Sequence, residues 1–194
     1  MSKRATILLA TLKRSGLSNT ETLCGFLAGR MRRAGIECET VKLVEHAVRA
    51  GTYTDMGDGD AWPGIYDKLL ASDLIVFATP IWWGSLSSEL QRVIERLDAV
   101  HDLVMKGESS PLDGKAAGIV ITGDSDGAQH VIAQVCNFCN AIGLAVPPYA
   151  SLSVLWSGQA KGKDTPREAL LEKYEKDYTK TADTMIERLM AAAR

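Results

Sequence analysis

Short apolar runs alternate along this chain with stretches in which apolar residues recur every third or fourth position. The first pattern reads as buried strand, the second as amphipathic helix. Ile7 to Ala10 is the first run and predicts a strand over residues 5–10. Leu23, Leu27, Met31 and Ala34 mark one face of a helix over 19–34, with Gly35 suited to a left-handed cap. A second strand over 36–43 alternates only in part, with Glu37, Glu39 and Lys42 facing outward, which suits a sheet edge. Pro63 fits the first turn of a short helix ending near Ala71. The run Asp73-Leu-Ile-Val-Phe-Ala-Thr79 is a buried third strand, followed by a helix over 87–100 with Leu90, Val93, Ile94 and Leu97 inward. A polar loop over 106–115 leads to a fourth strand over 116–122, a turn at Gly123-Asp-Ser-Asp-Gly127, and a helix over 128–142 closed by Gly143. The fifth strand is expected over 144–146, broken by Pro147-Pro148, with a looser continuation through 149–155. Thr165-Pro-Arg-Glu168 offers an N-cap, a proline at the first helical position and a glutamate at the third, starting a last helix that runs to near Arg194.

Strand and helix thus alternate five times, the pattern of a parallel sheet covered by helices on both faces. Five strands fit a flavodoxin-like α/β three-layer sandwich with strand order 2-1-3-4-5 better than a six-stranded dinucleotide-binding sheet. One domain over 1–194 is expected. The irregular stretch 45–62 is too long to be a mere connector and is a candidate functional loop. Its Asp58-Gly-Asp60 lacks the ligand spacing of a calcium loop, and its aspartates are read as a solvated acidic surface.

Composition narrows the functional classes. A net charge of −2 gives no electrostatic case for nucleic acid or an anionic membrane. No apolar run is long enough to span a bilayer, and the run behind the N-terminus is too short for a signal peptide, so the default expectation is the cytoplasm. Cys24, Cys38, Cys136 and Cys139 match neither a disulfide framework nor a zinc site. The pair Cys136-Asn-Phe-Cys139 lies in a helical pattern, where both thiols act as small hydrophobes. No metal is expected.

In a sheet of this order, ligands bind beyond the carboxyl ends of the strands, where strands one and three diverge. Three loops should meet there. The first, after strand one, holds Thr11, Lys13, Arg14, Ser15, Gly16, Ser18, Asn19 and Thr20 at a helix start, which suits a phosphate. Ser18-Asn-Thr-Glu21 is also a capping box, and the two roles can coexist. The second loop is Thr79-Pro-Ile-Trp-Trp-Gly-Ser-Leu-Ser87, whose adjacent tryptophans suit a flat aromatic ligand or a subunit interface. The third, Thr122 to Gly127, is small enough for close approach to a ring system.

The motifs Thr11-Leu-Lys-Arg-Ser-Gly-Leu-Ser-Asn-Thr20 and Pro80-Ile-Trp-Trp-Gly-Ser-Leu-Ser87, the latter continued by Leu90 and Ile94-Glu-Arg-Leu-Asp98, resemble those of the NADPH-dependent FMN reductase family, including the flavin-only relatives of iron–sulfur flavoproteins. The resemblance covers roughly residues 5–150. It implies that Thr11, Lys13, Ser18, Asn19 and Thr20 hold the phosphate of FMN. It implies that Pro80, Ile81, Trp82, Trp83 and Gly84 line the isoalloxazine, and that Thr122, Gly123 and Asp124 close its other edge. Many relatives carry tyrosine or phenylalanine where this chain has Trp82 and Trp83. The loop after strand two holds no cysteine, so no iron–sulfur cluster is expected.

The function implied is an NAD(P)H-dependent oxidoreductase that passes hydride from NADPH or NADH through bound FMN to a flavin, a quinone or a similar small-molecule acceptor. No catalytic acid or base is assigned. His46, His101 and His130 are scattered, and only His101-Asp102, after the third helix, is a weak candidate to approach a neighbouring subunit's flavin. The resemblance also implies a homodimer or homotetramer, with Tyr53, Trp62, Trp82, Trp83 and Trp156 as exposed aromatics for a partner subunit to cover. The alternative is a flavodoxin-type electron carrier, although such carriers are usually strongly acidic. A phosphorylation-controlled receiver domain fails because Ala10, Thr11 and Thr79 stand where aspartates are needed, and no Walker-type Gly-x-x-x-x-Gly-Lys-Ser/Thr occurs.

Overall fold

The computed structural model describes residues 2–194. Five parallel strands, β1 (Arg4–Leu9), β2 (Glu37–Lys42), β3 (Leu74–Pro80), β4 (Ala116–Gly123) and β5 (Ser151–Leu155), form one sheet in the order β2-β1-β3-β4-β5. The order is the flavodoxin-like one expected. Side chains alternate between the faces, as the pleat requires. Ile7, Leu9, Val76 and Val120 point to one face and Leu8, Phe77, Ile119 and Ile121 to the other. The first face is covered by α1 (Asn19–Arg33), α6 (Arg167–Asp177) and α7 (Thr179–Ala192), which contribute Leu23, Leu27, Leu170, Met185 and Leu189. The second is covered by α2 (Trp62–Leu70), α3 (Ser88–Arg96), α4 (Asp98–Met105) and α5 (Ala128–Ala141), through Leu69, Leu90, Val93, Val131 and Val135. β2, at the edge, keeps exposed positions at Glu37, Glu39 and Thr40, whereas β1 is exposed only at its first residue, Arg4.

Three elements depart from expectation. The fifth strand is not at 144–146; Ala145 makes only an isolated bridge to Ala116. Pro147 and Pro148 have no N–H to give a ladder, and Tyr149 turns the chain with φ 66°. The chain therefore rejoins the sheet at Ser151, pairing Ile119 with Ser151 through Gly123 with Leu155. The helix expected over 87–100 is two helices. At Leu97 ψ is −3°, and Val100 N–H donates to the Leu97 carbonyl three residues back, so the four-residue ladder lapses and α4 sets off as a new helix to Met105. The last helix is likewise divided at Tyr178, where φ is −121°. Thr165 does not cap it: its hydroxyl donates to the Gly158 carbonyl at 2.6 Å, and the helix starts from Pro166.

The stretch between β2 and α2 is also corrected. Asp60 is not solvated but wholly buried, 2.7 Å from Arg96. The Arg96 guanidinium donates further to the carbonyls of Arg49, Tyr53 and Thr54, and the Asp60 carboxylate accepts from the N–H groups of Arg49, Met56 and Trp62. Burial alone would raise the Asp60 carboxyl. The Arg49 N–H, the Arg96 guanidinium and the Trp62 and Met56 N–H groups outweigh it and hold the pKa at about 2. Trp62, expected at the surface, is fully buried with Arg96 5.8 Å over its ring.

Candidate functional site

The carboxyl ends of β1, β3 and β4 open onto a cavity of about 460 Å³. The loop after β1 is held by its own hydroxyls. Thr11 Oγ1 and Ser18 Oγ share a hydrogen bond of 2.9 Å, and Ser18 Oγ accepts the Glu21 N–H at 3.3 Å as the N-cap of α1. The reciprocal half of the capping box is missing, because the Glu21 carboxylate turns to Lys42 at 3.0 Å. In the same turn Thr20 Oγ1 meets Thr122 Oγ1 at 2.7 Å, joining α1 to the end of β4. Each hydroxyl pair uses one of its two hydrogens, so each keeps one O–H for another acceptor. The Asn19 and Thr20 N–H groups, in the first helical turn, have no acceptor among the described residues. These donors, at the positive end of the helix, make an anion seat.

The loop after β3 is clamped by Ser87. Its N–H donates to Thr79 Oγ1 at 3.0 Å and its hydroxyl to the Ala10 carbonyl at 2.7 Å, while the same oxygen caps α3. Between them, Trp82 and Ser85 exchange both backbone hydrogen bonds across a two-residue turn. Trp83 (φ 49°) and Gly84 (φ 74°) are both left-handed, the signature of a type I′ turn. The turn separates the two tryptophans: Trp82 lines the cavity, whereas Trp83 is 100% exposed at the apex.

Of the residues assigned from sequence, Thr11, Lys13, Ser18, Asn19, Thr20, Pro80, Ile81, Trp82, Thr122, Gly123 and Asp124 line this one cavity. Trp83 and Gly84 do not. Thr11, Ser18 and Thr20 are buried and largely engaged with other protein groups, so their first role is to shape the loop. None of the three histidines lines the cavity, His101 included, and its carboxylates are Asp124 and Asp164. All four cysteines lie outside it. Burial pushes the thiols of Cys24 and Cys139 far up and that of Cys38 to about 11, away from thiolate chemistry. Among the described residues no cluster could hold a metal ion.

One wall went unforeseen. Gln159, Ala160, Lys161, Gly162, Lys163 and Asp164 also line the cavity. Gln159 anchors them. Its buried side-chain amide donates to the carbonyls of Gly123 and Val154 at 3.0 and 2.8 Å and accepts from the Tyr174 hydroxyl at 2.8 Å. Asn19 Nδ2 donates to the Gln159 carbonyl at 3.2 Å, so the wall meets the start of α1.

Residues 5–156 match the model of a family described as NADPH-dependent FMN reductase. Among curated proteins, the chain is 32% identical over 170 residues to 8-demethyl-8-aminoriboflavin-5'-phosphate synthase of Streptomyces davaonensis, a match covering 82% of this chain and 65% of that protein. It is 36% identical over 162 residues to the divalent metal cation transporter MntH of Mycobacterium bovis, covering 81% of this chain and 23% of that protein. The chain thus spans less than two thirds of either relative. No helix among the described residues is long and apolar enough to cross a membrane. Among solved structures, RosB with its bound intermediate 8-demethyl-8-formylriboflavin-5'-phosphate superposes with a TM-score of 0.81 at 28% identity, over 100% of this chain and 79% of that one.

Proposed function

The chain belongs to the NADPH-dependent FMN reductase family, and from that premise we propose that its cavity takes FMN and that the protein is an NAD(P)H-dependent oxidoreductase delivering electrons to a flavin, a quinone or a similar small acceptor. The observation that carries the reading is the donor set at the start of α1 facing Trp82 across one cavity of about 460 Å³. Donors for an anion and an aromatic wall in one cavity suit the two ends of a flavin phosphate. Bound FMN would accept hydride and release one or two electrons, chemistry that belongs to the cofactor. The protein's part is to bind and to orient. The Asn19 and Thr20 N–H groups and the spare hydroxyl hydrogens would take the phosphate, and the backbone from Pro80 to Trp82 and from Thr122 to Asp124 would border the ring. With no histidine, cysteine or glutamate in the lining, no side chain is assigned a proton-transfer step.

A second copy of the chain fits the same reading. Trp83 projects fully into solvent from the lip of the cavity, with the half-exposed Trp82 beside it, and a partner subunit would bury both.

The absorption spectrum of the purified protein, alone, with FMN, and then with anaerobic NADPH or NADH, tests the reading. A two-banded flavin spectrum that bleaches with either nucleotide is expected. Bound FMN that ignores both would point to an electron carrier, and failure to bind FMN would overturn the site. The names of the two flavin-phosphate relatives favour a second reading, in which the flavin is itself altered. Mass spectrometry of flavin recovered after turnover separates the two: an unchanged mass supports a cofactor, a changed mass a substrate.

A further inference from the structure

The cavity wall over residues 159–164 lies beyond residue 156, where the match to the family model ends. It carries two cations, Lys161 and Lys163, and among the described residues neither has a carboxylate partner within ion-pair distance. Lys13, also in the lining, has the Leu17 carbonyl as its partner at 2.8 Å and likewise no carboxylate. The lining therefore holds three lysines against Asp124 and Asp164, a net positive rim on a chain whose overall charge is −2. The wall is not free to swing away. Gln159, two residues before Lys161, is buried and bonded on three sides, and Asn19 ties its carbonyl to the first turn of α1. The lysines thus line the same cavity as the helix start, where the unpaired N–H groups already favour an anion, on a wall tied to that start through Asn19.

We propose that Lys161 and Lys163 close a second side of the phosphate seat, so that the cavity selects a phosphorylated flavin over the unphosphorylated ring. The inference rests on the reading of the cavity as a flavin site and adds to it which residues outside the family-matched segment set the ligand class. Two exposed lysines acting on a dianion strengthen binding by about tenfold, and salt screens the effect because both side chains reach solvent. Riboflavin, with no phosphate, gains nothing from them.

The test titrates the full chain and its K161A/K163A and K161R/K163R variants with FMN and with riboflavin at low and high salt, following flavin fluorescence. Both lysines are exposed and unpaired, so the variants fold, and a melting curve verifies it. The expected result is FMN affinity about tenfold weaker in K161A/K163A, riboflavin affinity unchanged, a flatter salt dependence for FMN, and recovery of the FMN preference in K161R/K163R. FMN and riboflavin affinities both unaltered in K161A/K163A would overturn the proposal, leaving the phosphate to α1 alone. An equal loss for both ligands would overturn it by placing the wall on the ring. If the unmutated chain binds neither flavin, the reading of the cavity itself falls.

Discussion

Asp60 and Arg96 form a wholly buried ion pair with a 2.7 Å contact, joining the long loop after β2 to the end of α3. The pair is not isolated: three N–H groups reach the carboxylate and three carbonyls reach the guanidinium. Each charge therefore has the hydrogen bonds that make its burial tolerable. Removing one partner strands the other. Arg96→Met is expected to destabilise the fold by about 3–5 kcal/mol, read as a lower urea midpoint. The double variant R96M/D60N restores part of the loss by removing the stranded charge, and a double-mutant cycle measures the coupling.

The same pair sets an acid limit. Asp60 has a folded pKa of about 2 against an ordinary value of 3.8, so its carboxylate is favoured in the fold. That contribution is complete above pH 4 or so and is lost as pH falls through about 2, with the unfolded chain taking up the proton first. Stability should be flat from neutrality to about pH 5 as far as this group is concerned and then fall by about 2 kcal/mol in the acid limb. Asp60→Asn should flatten that limb in denaturant titrations run at stepped pH.

Gln159 holds the unforeseen wall, and its loss should be felt twice. Gln159→Leu takes the side-chain donor from the Val154 carbonyl and the acceptor from the Tyr174 hydroxyl, at about 1–3 kcal/mol for unsatisfied buried groups, while the Gly123 carbonyl keeps the Trp156 N–H. It also frees residues 160–164 from the cavity. FMN affinity should fall along with stability. Tyr174→Phe removes the hydroxyl that donates to Gln159 at 2.8 Å and lies 3.4 Å from the Asn19 carbonyl, and should cost about 1 kcal/mol with little effect on affinity. Paired urea melts and flavin titrations of the two variants check the contrast.

What the sequence made legible follows the reach of each signal. The strands of the sheet centre are unbroken apolar runs such as Leu74 to Ala78, and their order follows from five alternations with helices, so both could be read directly. The loops after β1 and β3 carry their chemistry in consecutive residues and were legible for the same reason. The fifth strand was expected to start in the apolar run 144–146, which two prolines cut short; the strand forms instead in the looser continuation, where Ser151 to Leu155 alternate in burial. Asp60 looked like any loop aspartate, since nothing local reveals that Arg96 reaches back to it. The wall over 159–164 has the glycine and lysine content of an ordinary surface loop, and only the fold turns it toward α1. Contacts that join distant segments were the ones missed.

The Trp83–Gly84 turn yields the last prediction. A type I′ turn asks for left-handed backbone at both central positions, which glycine and asparagine adopt readily and tryptophan does not. Trp83 holds φ 49° with its whole side chain in water, so within one chain it gains no packing to offset the strain. The turn cannot relax inward, because Gly127 packs against it so closely that a Cβ there would lie 2.9 Å from the Gly84 Cα. Trp83→Asn should therefore stabilise the isolated chain by about 0.5–1 kcal/mol, measured by urea melts at low protein concentration. The same change should weaken self-association, read as a shift toward monomer in sedimentation at higher concentration. A variant that is stabilised and still associates like the parent would mean that the partner subunit does not cover this turn.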